Sequence, residues 1–254
     1  MSDLAVLALR DFPLVAPGDD LAQLIIDAID YNQRQLEDGD ILVLAQKIVS
    51  KAENRYRQLA DIEPGEQALY YAKATGKDPR LAELELQESK QVLRHRMGVM
   101  VVEHKLGFVH ANAGIDQSNL PDNADSERCL LLPENPDTSA EQLRTRLSEH
   151  SGKRIAVIIN DSFGRAWRLG TCGVAIGVAG FDPLLDQRGE KDLFGRTLAI
   201  TVIGLADEIA AAASLVMGQA GQATPCVIVR GVEWQPCESS VQRLLRAPDE
   251  DMFR

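Results

Sequence analysis

The stretch Ile155-Ala156-Val157-Ile158-Ile159-Asn160-Asp161-Ser162-Phe163-Gly164-Arg165, continuing through Arg168 and Gly170 to Gly177, opens with five apolar residues, four of them β-branched. Branched side chains fit a pleated surface and the run is too short for a helix, so it predicts a buried strand over 155–159. Asn160, Asp161 and Ser162 then arrive in succession, followed by Gly164, Arg165 and Arg168 and by Gly170, Gly173 and Gly177. A carboxylate and a hydroxyl at the end of such a strand are oxygen ligands that suit magnesium or manganese, ions that usually bridge to substrate phosphates. Arg165 and Arg168 can neutralise phosphate or carboxylate charge, and the glycines let backbone approach a ligand closely. The same residues also fit a strand that ends in an Asx-turn, with Asp161 bonding its own backbone and both arginines exposed. Both readings stand at this point.

Working outward, Leu4 to Leu9 and Ile41 to Ala45 read as strands flanking a helix that Asp19 or Asp20 caps and that runs to about Leu36. The polar segment 46–53 follows the second strand at once. Residues 64–90 predict two helices, the second with Asp78 as N-cap and Pro79 at its first position, and their Glu and Lys residues predict a solvated surface. Val99 to Glu103 and Phe108 to His110 form a hairpin pattern around Lys105-Leu106-Gly107. Residues 121–137 read as loop, apart from a short strand over Cys129 to Leu132. Ser139 with Gln142 predicts a capping box for a helix that ends near Gly152. Beyond the central stretch the pattern predicts a loop over Asp182 to Arg196, a strand over Thr197 to Ile203, a helix over Leu205 to Met217, and a strand over Cys226 to Val229. The last twenty residues read as a helix and an acidic tail. Hairpins and helices are interspersed without regular β-α-β alternation, which predicts an α+β fold of mixed and antiparallel sheets, neither Rossmann nor P-loop. The chain reads as one unit, with a composition shift near 121–138 between an N-terminal half and the central part.

With 254 residues, 45% of them hydrophobic, and a net charge of −11, the chain has the composition of a globular protein. Nucleic-acid surfaces are built from clustered Lys and Arg, so none is expected here. Cys129, Cys172, Cys226 and Cys237 show neither C-x-x-C pairing nor disulfide-like density. With no signal-peptide pattern and no apolar run long enough to span a bilayer, they point to a cytoplasmic protein without a membrane partner.

Four polar segments each follow an apolar one: 46–53, 112–119, 160–168 and 218–224. Two of them offer a lone carboxylate in a small-residue setting, Asp116 and Asp161. Paired acids of this kind can hold a divalent cation against a nucleotide phosphate. Lys51 supplies a point charge, Asn119 a polar contact, and Gly218 and Gly221 free backbone amides to face an anion. Neither G-x-x-x-x-G-K-[ST] nor G-x-G-x-x-G occurs. His95, His104, His110 and His150 show no metal spacing with one another and are assigned structural or surface roles. The residues by themselves reach a metal- and phosphate-dependent enzyme.

Five motifs in order carry a resemblance across residues 4–235: Ile48-Val49-Ser50-Lys51-Ala52-Glu53, Asn112-Ala113-Gly114-Ile115-Asp116-Gln117-Ser118-Asn119, Asn160-Asp161-Ser162-Phe163-Gly164-Arg165 with Arg168-Leu169-Gly170, Gly189-Glu190-Lys191-Asp192-Leu193-Phe194-Gly195-Arg196, and Ala206-Asp207-Glu208-Ile209-Ala210-Ala211 through Met217-Gly218-Gln219. The chain resembles the coenzyme F420-0:L-glutamate ligase family, in its stand-alone form. The resemblance implies a GTP-dependent amide ligase. GTP phosphorylates a deazaflavin carboxylate to an acyl phosphate, L-glutamate attacks, and further γ-linked glutamates can follow. It also implies magnesium or manganese, a response to potassium, and a two-domain α+β protomer in an intertwined homodimer. Asp116 and Asp161 resemble ligands of one metal, and Ser162 with Gln219 ligands of a second. Phe12, Pro13, Leu14, Val15, Gln46, Lys47, Lys51, Asn119 and the run Met217, Gly218, Gln219, Ala220, Gly221, Gln222, Ala223 and Thr224 resemble nucleotide-contacting positions. Gln219 stands where some relatives have Glu, and Ser162 where Thr is common. Arg165 and Arg168 are added from the residues alone as groups for substrate or transition-state charge. A two-metal GTP or phosphate-ester hydrolase, a ligase of the same chemistry on another acceptor, and a non-catalytic binding protein are the alternatives.

Overall fold

The computed structural model describes residues 3–120 and 127–252. Its elements in chain order are β1 (Ala5–Ala8), α1 (Leu21–Tyr31), β2 (Ile41–Ala45), α2 (Gln46–Ala52), β3 (Tyr56–Gln58), α3 (Glu66–Thr75), α4 (Pro79–Gln87), β4 (Ser89–Arg96), β5 (Val99–His104), β6 (Val109–Ala111), β7 (Arg128–Leu130), α5 (Pro136–Ser151), β8 (Ala156–Arg165), β9 (Arg168–Ala179), β10 (Leu185–Asp186), β11 (Val202–Ile203), α6 (Leu205–Met217) and β12 (Cys226–Arg230).

The apolar runs β2, β8 and β12 lie side by side in a five-stranded sheet of order β1-β12-β2-β8-β9. The β2–β8 pair is parallel, with Leu42 opposite Val157 and Ala45 opposite Asn160, and the other pairs are antiparallel. Alternate residues face opposite ways, as strand geometry requires. Leu42, Leu44, Val157, Ile159 and Ile228 join α1 and α5 in one core, while Ile41, Val43, Ala156, Ile158 and Val229 join α6 in the other. A sheet covered on both faces explains why these strands read as unbroken apolar runs. Two glycines of β9 let it lie close to its covering helices. A Cβ on Gly173 would collide with Ser214 Oγ and the Ala210 carbonyl of α6, and one on Gly177 would sit 2.6 Å from Pro136 of α5. A three-stranded sheet, β4-β5-β6, packs with α3 and α4 around Ala68, Ala82, Met100 and Val102, and β3 pairs with β7. The α+β expectation holds, with six α-helices and mixed and antiparallel sheets among the described residues.

Several local expectations are corrected. The strand at 155 does not stop at Ile159 but carries Asn160, Asp161 and Ser162 within it, because β9 keeps pairing with it as far as the turn. Helix α1 ends at Tyr31, short of Leu36, where the Asn32 side chain bonds the Ala28 and Arg10 carbonyls. Helix α5 starts earlier than the Ser139 capping box predicts. Asn135 is its cap, accepting from Thr138 N at 3.1 Å with Pro136 at the first position, and Ser139 Oγ turns to Glu53 instead. Of the expected 197–203 strand, Val202–Ile203 pairs with Leu185–Asp186 and Thr197 makes an isolated bridge to Lys191, and the expected C-terminal helix is a short 3-10 turn over Val241–Leu244. Strand β4 goes unpredicted because Ser89–Arg96 is mostly polar. Residues 121–126 of the expected loop lie outside the described residues.

Candidate active site at one end of the central sheet

Three of the chain's polar segments, 46–53, 160–168 and 218–224, meet because of the sheet's topology, and 112–119 joins them from beyond β6 through contacts of Lys47 and Lys51. Parallel pairing brings the ends of β2 and β8 together, so α2 begins beside Asn160 and Asp161. Strand β12 runs antiparallel to β2 and places Pro225 against Ala45, with the 218–224 loop just before it. The chain leaving β1 passes the same end, where Leu9 N donates to the Cys226 carbonyl. Ligand sites commonly form outside the carboxyl ends of parallel strands.

Asp161 is paired with Val174 in the β8–β9 ladder. One carboxylate oxygen accepts from Ser162 N at 2.8 Å, and the other lies 3.2 Å from His110 Nε2 on β6. The His110 ring packs edge-on against Phe163 at 4.1 Å between centroids. Ser162 Oγ donates to Gln219 Oε1 at 2.6 Å, which joins β8 to the loop after α6. Asn160 is buried and turns inward, donating to Ser214 Oγ and Met217 Sδ on α6.

Asp116 stands beyond the Asn112–Gly114 turn that follows β6, and its backbone bridges Leu130. Its carboxylate meets Lys47 Nζ at 2.6 Å and accepts from Ser118 N at 2.6 Å. Lys47 also donates to Ser118 Oγ, and Lys51 Nζ donates to the Asn119 carbonyl at 2.7 Å. Partial burial works to raise the Asp116 carboxyl, but bonds from Lys47 and Ser118 outweigh it and hold the group below the usual carboxylate range. Burial lowers Lys51 from its ordinary value, nearby Lys47 adds to this, and Asp116 opposes it.

The remaining expected contacts divide clearly. Phe12, Val15, Gln46 and Met217 are buried, so their side chains build the site from behind, whereas Leu14 is exposed. Pro13 is exposed beside it. Gln46 Oε1 accepts from Ser50 Oγ within α2. In the 218–224 loop, Gln222 Oε1 accepts from Ala220 N, and Thr224 Oγ1 caps the Val216 and Met217 carbonyls. Gly218 and Ala223 both take positive φ, while Gly221 is open to a neighbour. Arg165 and Arg168 face each other across the turn of the β8–β9 hairpin and are exposed. Four residues of strand separate Arg165 from Asp161, about 13 Å along the backbone, and the Arg165 guanidinium donates to the Leu169 carbonyl at 3.4 Å. The 206–211 motif does structural work: Asp207 Oδ1 accepts from Ala175 N and ties α6 to β9, and burial raises its carboxyl above the ordinary range.

His110 is the residue that sequence reasoning missed. Its only signal was its place in the strand that runs into the Asn112–Asn119 segment. Among the described residues no three His, Cys, Asp or Glu side chains gather as a metal site. What this end offers is two carboxylates, a hydroxyl and an amide carbonyl, all hard oxygen donors. Each carboxylate already faces a nitrogen base, Lys47 or His110, so the site accommodates positive charge at both. A cleft of about 250 Å³ opens between α1, α2 and α5, away from Asp116 and Asp161.

A non-Rossmann α+β chain that gathers carboxylates, lysines and glycine-rich backbone at one sheet end belongs with the enzymes that handle anionic small molecules. The chain belongs to the F420-0:gamma-glutamyl ligase family, whose model matches residues 10–231, and it is accordingly a ligase. It is 47% identical over 253 residues to the coenzyme F420:L-glutamate ligase of Methanothermobacter thermautotrophicus, covering 99% of each chain. The protein of the same name from Methanopyrus kandleri is 44% identical with full coverage of both chains. That from Archaeoglobus fulgidus is 42% identical, over 98% of this chain and 96% of its own.

Proposed function

We propose that this protein joins L-glutamate to the deazaflavin coenzyme F420-0 through an amide bond, using GTP, and extends the product with further γ-linked glutamates. The observation that carries this reading is full-length similarity to ligases of that name, in a chain whose motif segments 46–53, 112–119, 160–162 and 218–224 converge at one site.

A carboxylate accepts an amine poorly until one oxygen becomes a good leaving group. Transfer of the GTP γ-phosphoryl group to the acceptor carboxylate gives an acyl phosphate and GDP. The glutamate amine then attacks the acyl carbon, forming the C–N bond as the C–O bond to phosphate breaks, and the amine loses its proton. The work of the protein in such a reaction is positioning and electrostatic stabilisation. Magnesium or manganese, when bound, offsets charge on the transferring phosphoryl group. Asp116 and Asp161 would hold one ion, and Ser162 with Gln219 a second. Lys51 and Lys47 supply positive charge toward phosphate, and the backbone at Gly221 is unobstructed on the side an anion would approach. Arg165 and Arg168 sit at an exposed hairpin turn and serve a substrate that reaches that far, or a second copy of the site. Potassium is the further cation of this proposal, and the cytoplasm its location. No helix of the described residues is long and apolar enough to cross a membrane.

We also propose a homodimer. Trp167 and Leu169 at the hairpin turn, and Leu193, Phe194 and Ile200 on the 185–203 arm, are nearly fully exposed, and Leu193 reaches 99%. Apolar side chains displayed in this density mark a contact surface. Sedimentation should give twice the protomer mass, and a protomer mass at micromolar concentration would reject the dimer.

The deciding experiment follows GDP release with GTP and manganese, with and without L-glutamate and the deazaflavin acceptor, with mass spectrometry of the product. Release that requires both, and a product heavier by glutamyl units, establishes the ligase. Release without either means a hydrolase. Release that requires glutamate and a different carboxylic acid moves the same chemistry to another acceptor.

A further inference from the structure

Behind the Asp116 turn lies a buried ion pair that no step of the proposed reaction uses. Lys77 follows α3, Glu85 lies on α4, and their Nζ and Oε1 atoms are 2.5 Å apart, with Glu85 0% exposed. The sequence pattern assigns both to a solvated face, and the structure corrects this. Burying such a pair costs desolvation on both sides, and apolar replacement is often neutral or stabilising. Glu85 Oε2 is also buried, with no hydrogen-bond partner among the described residues. Burial pushes the Glu85 carboxyl above its usual range, and Lys77 opposes the shift.

A third partner accounts for the pair. Asn112 Oδ1 accepts from Lys77 Nζ at 2.6 Å and from Met100 N at 3.0 Å. Asn112 begins three successive residues with left-handed backbone: Asn112 at φ +55°, Ala113 at +51° and Gly114 at +66°. Asn and Gly tolerate this region but the Cβ of Ala113 is crowded in it, and strained backbone persists only where its surroundings over-determine it. Two residues past Gly114 the chain presents the Asp116 carboxylate to Lys47. We propose that Lys77 and Glu85 are positioning residues, holding through Asn112 the left-handed turn that sets where the Asp116 carboxylate stands in the reaction. This rests on the proposed function in assigning Asp116 a role there.

The test compares Lys77→Met, the double variant Lys77→Met/Glu85→Leu, and Asn112→Gly, which keeps the pair and the left-handed conformation but cuts their link. Thermal midpoint, Mn2+ affinity by electron paramagnetic resonance titration, and the metal concentration giving half-maximal turnover are read for each. Lys77→Met should lose stability by stranding a buried carboxyl. The double variant should recover the wild-type midpoint yet bind Mn2+ about 10- to 100-fold more weakly, the usual effect of losing a partner that orients a ligand. Asn112→Gly should share that weakening. Wild-type Mn2+ affinity in the double variant or in Asn112→Gly overturns the proposal. If the wild type turns over no acceptor but the variants still bind Mn2+ more weakly, positioning stands and the ligase reading falls.

Discussion

Asp161 sits inside a ten-residue strand, paired with Val174 and one residue past the last β2 partner. Asp116 instead leaves a left-handed turn and, among the described residues, joins a strand through its isolated bridge to Leu130. A strand-borne carboxylate inherits its position from a ladder that the sheet needs anyway. A turn-borne one requires braces of its own: Lys47 and Ser118 on the carboxylate, Lys51 on the Asn119 carbonyl, and Asn112 with Lys77 behind. The comparison teaches that equal chemistry at one site can rest on unequal scaffolds. Substitution at Asp161, which the ladder holds beside its contact with His110, should therefore act mainly on chemistry, and substitution around Asp116 on chemistry and stability together.

The largest effect should come from Asp161→Asn. A neutral amide holds a hard cation poorly, and losing that charge stabilisation should lower turnover about 1,000-fold, the several kcal/mol a catalytic metal supplies. The thermal midpoint should stay near wild type. Asp116→Asn should lose comparable activity and also up to about 1 kcal/mol of stability, because the Lys47 pair goes with it. Equal midpoints for the two variants would break the comparison.

The sheet that carries the Asp116 turn should also be the more acid-sensitive. His104 on β5 is buried, stacks on Phe108, and accepts from Leu106 N through Nδ1. Burial, with help from His110, Arg55, Lys105 and Lys90, lowers its pKa from 6.5 to about 4. The unfolded chain therefore binds this proton first as pH falls, and stability is lost between about pH 6.5 and about pH 4. The loss is on the order of 3 kcal/mol from this group. His104→Asn keeps an acceptor near Leu106 N without the titration, so denaturant midpoints across that window should fall less steeply than in wild type. Parallel slopes would remove His104 as the cause.

Much of this scaffold was legible because period and punctuation agree with the fold. The runs at 41–45, 155–159 and 226–229 are apolar since both sheet faces are covered, and Asp78-Pro79 opens α4 as capping chemistry predicts. The motif segments were visible as polar residues following apolar ones, and the convergence of 46–53 with 160–168 follows from β2–β8 pairing. What stayed hidden depends on distant partners. His110 gains meaning only when β6 reaches β8, and Lys77 and Glu85 look like surface charge until α3 and α4 close over them. Ser139 fits a capping box by spacing, but Asn135-Pro136 starts α5 one turn earlier, and Glu53 claims the Ser139 hydroxyl. The paired tail of β8 reads as a strand end because its polarity changes while its backbone pairing does not.

Two smaller effects test the strand-borne half of the site. Gly173→Ala should push α6 from β9, since the added methyl meets Ser214 Oγ and a backbone carbonyl that cannot rotate away. Overpacking of this kind costs about 1–3 kcal/mol, and it should also part Ser162 from Gln219, visible as a higher metal requirement. The smallest effect belongs to Gln219→Glu. Ser162 Oγ can still donate to the new carboxylate, so the contact survives, while a negative charge is added near Asp161. Without metal the extra charge should lower the thermal midpoint slightly. With metal it should reduce the concentration for half-maximal turnover by about fivefold, equivalent to about 1 kcal/mol. An unchanged requirement would mean that position 219 is not a ligand. Ser162 would then serve only to pin the loop after α6 to β8, and that loop, like the Asp116 turn, would depend on a brace of its own.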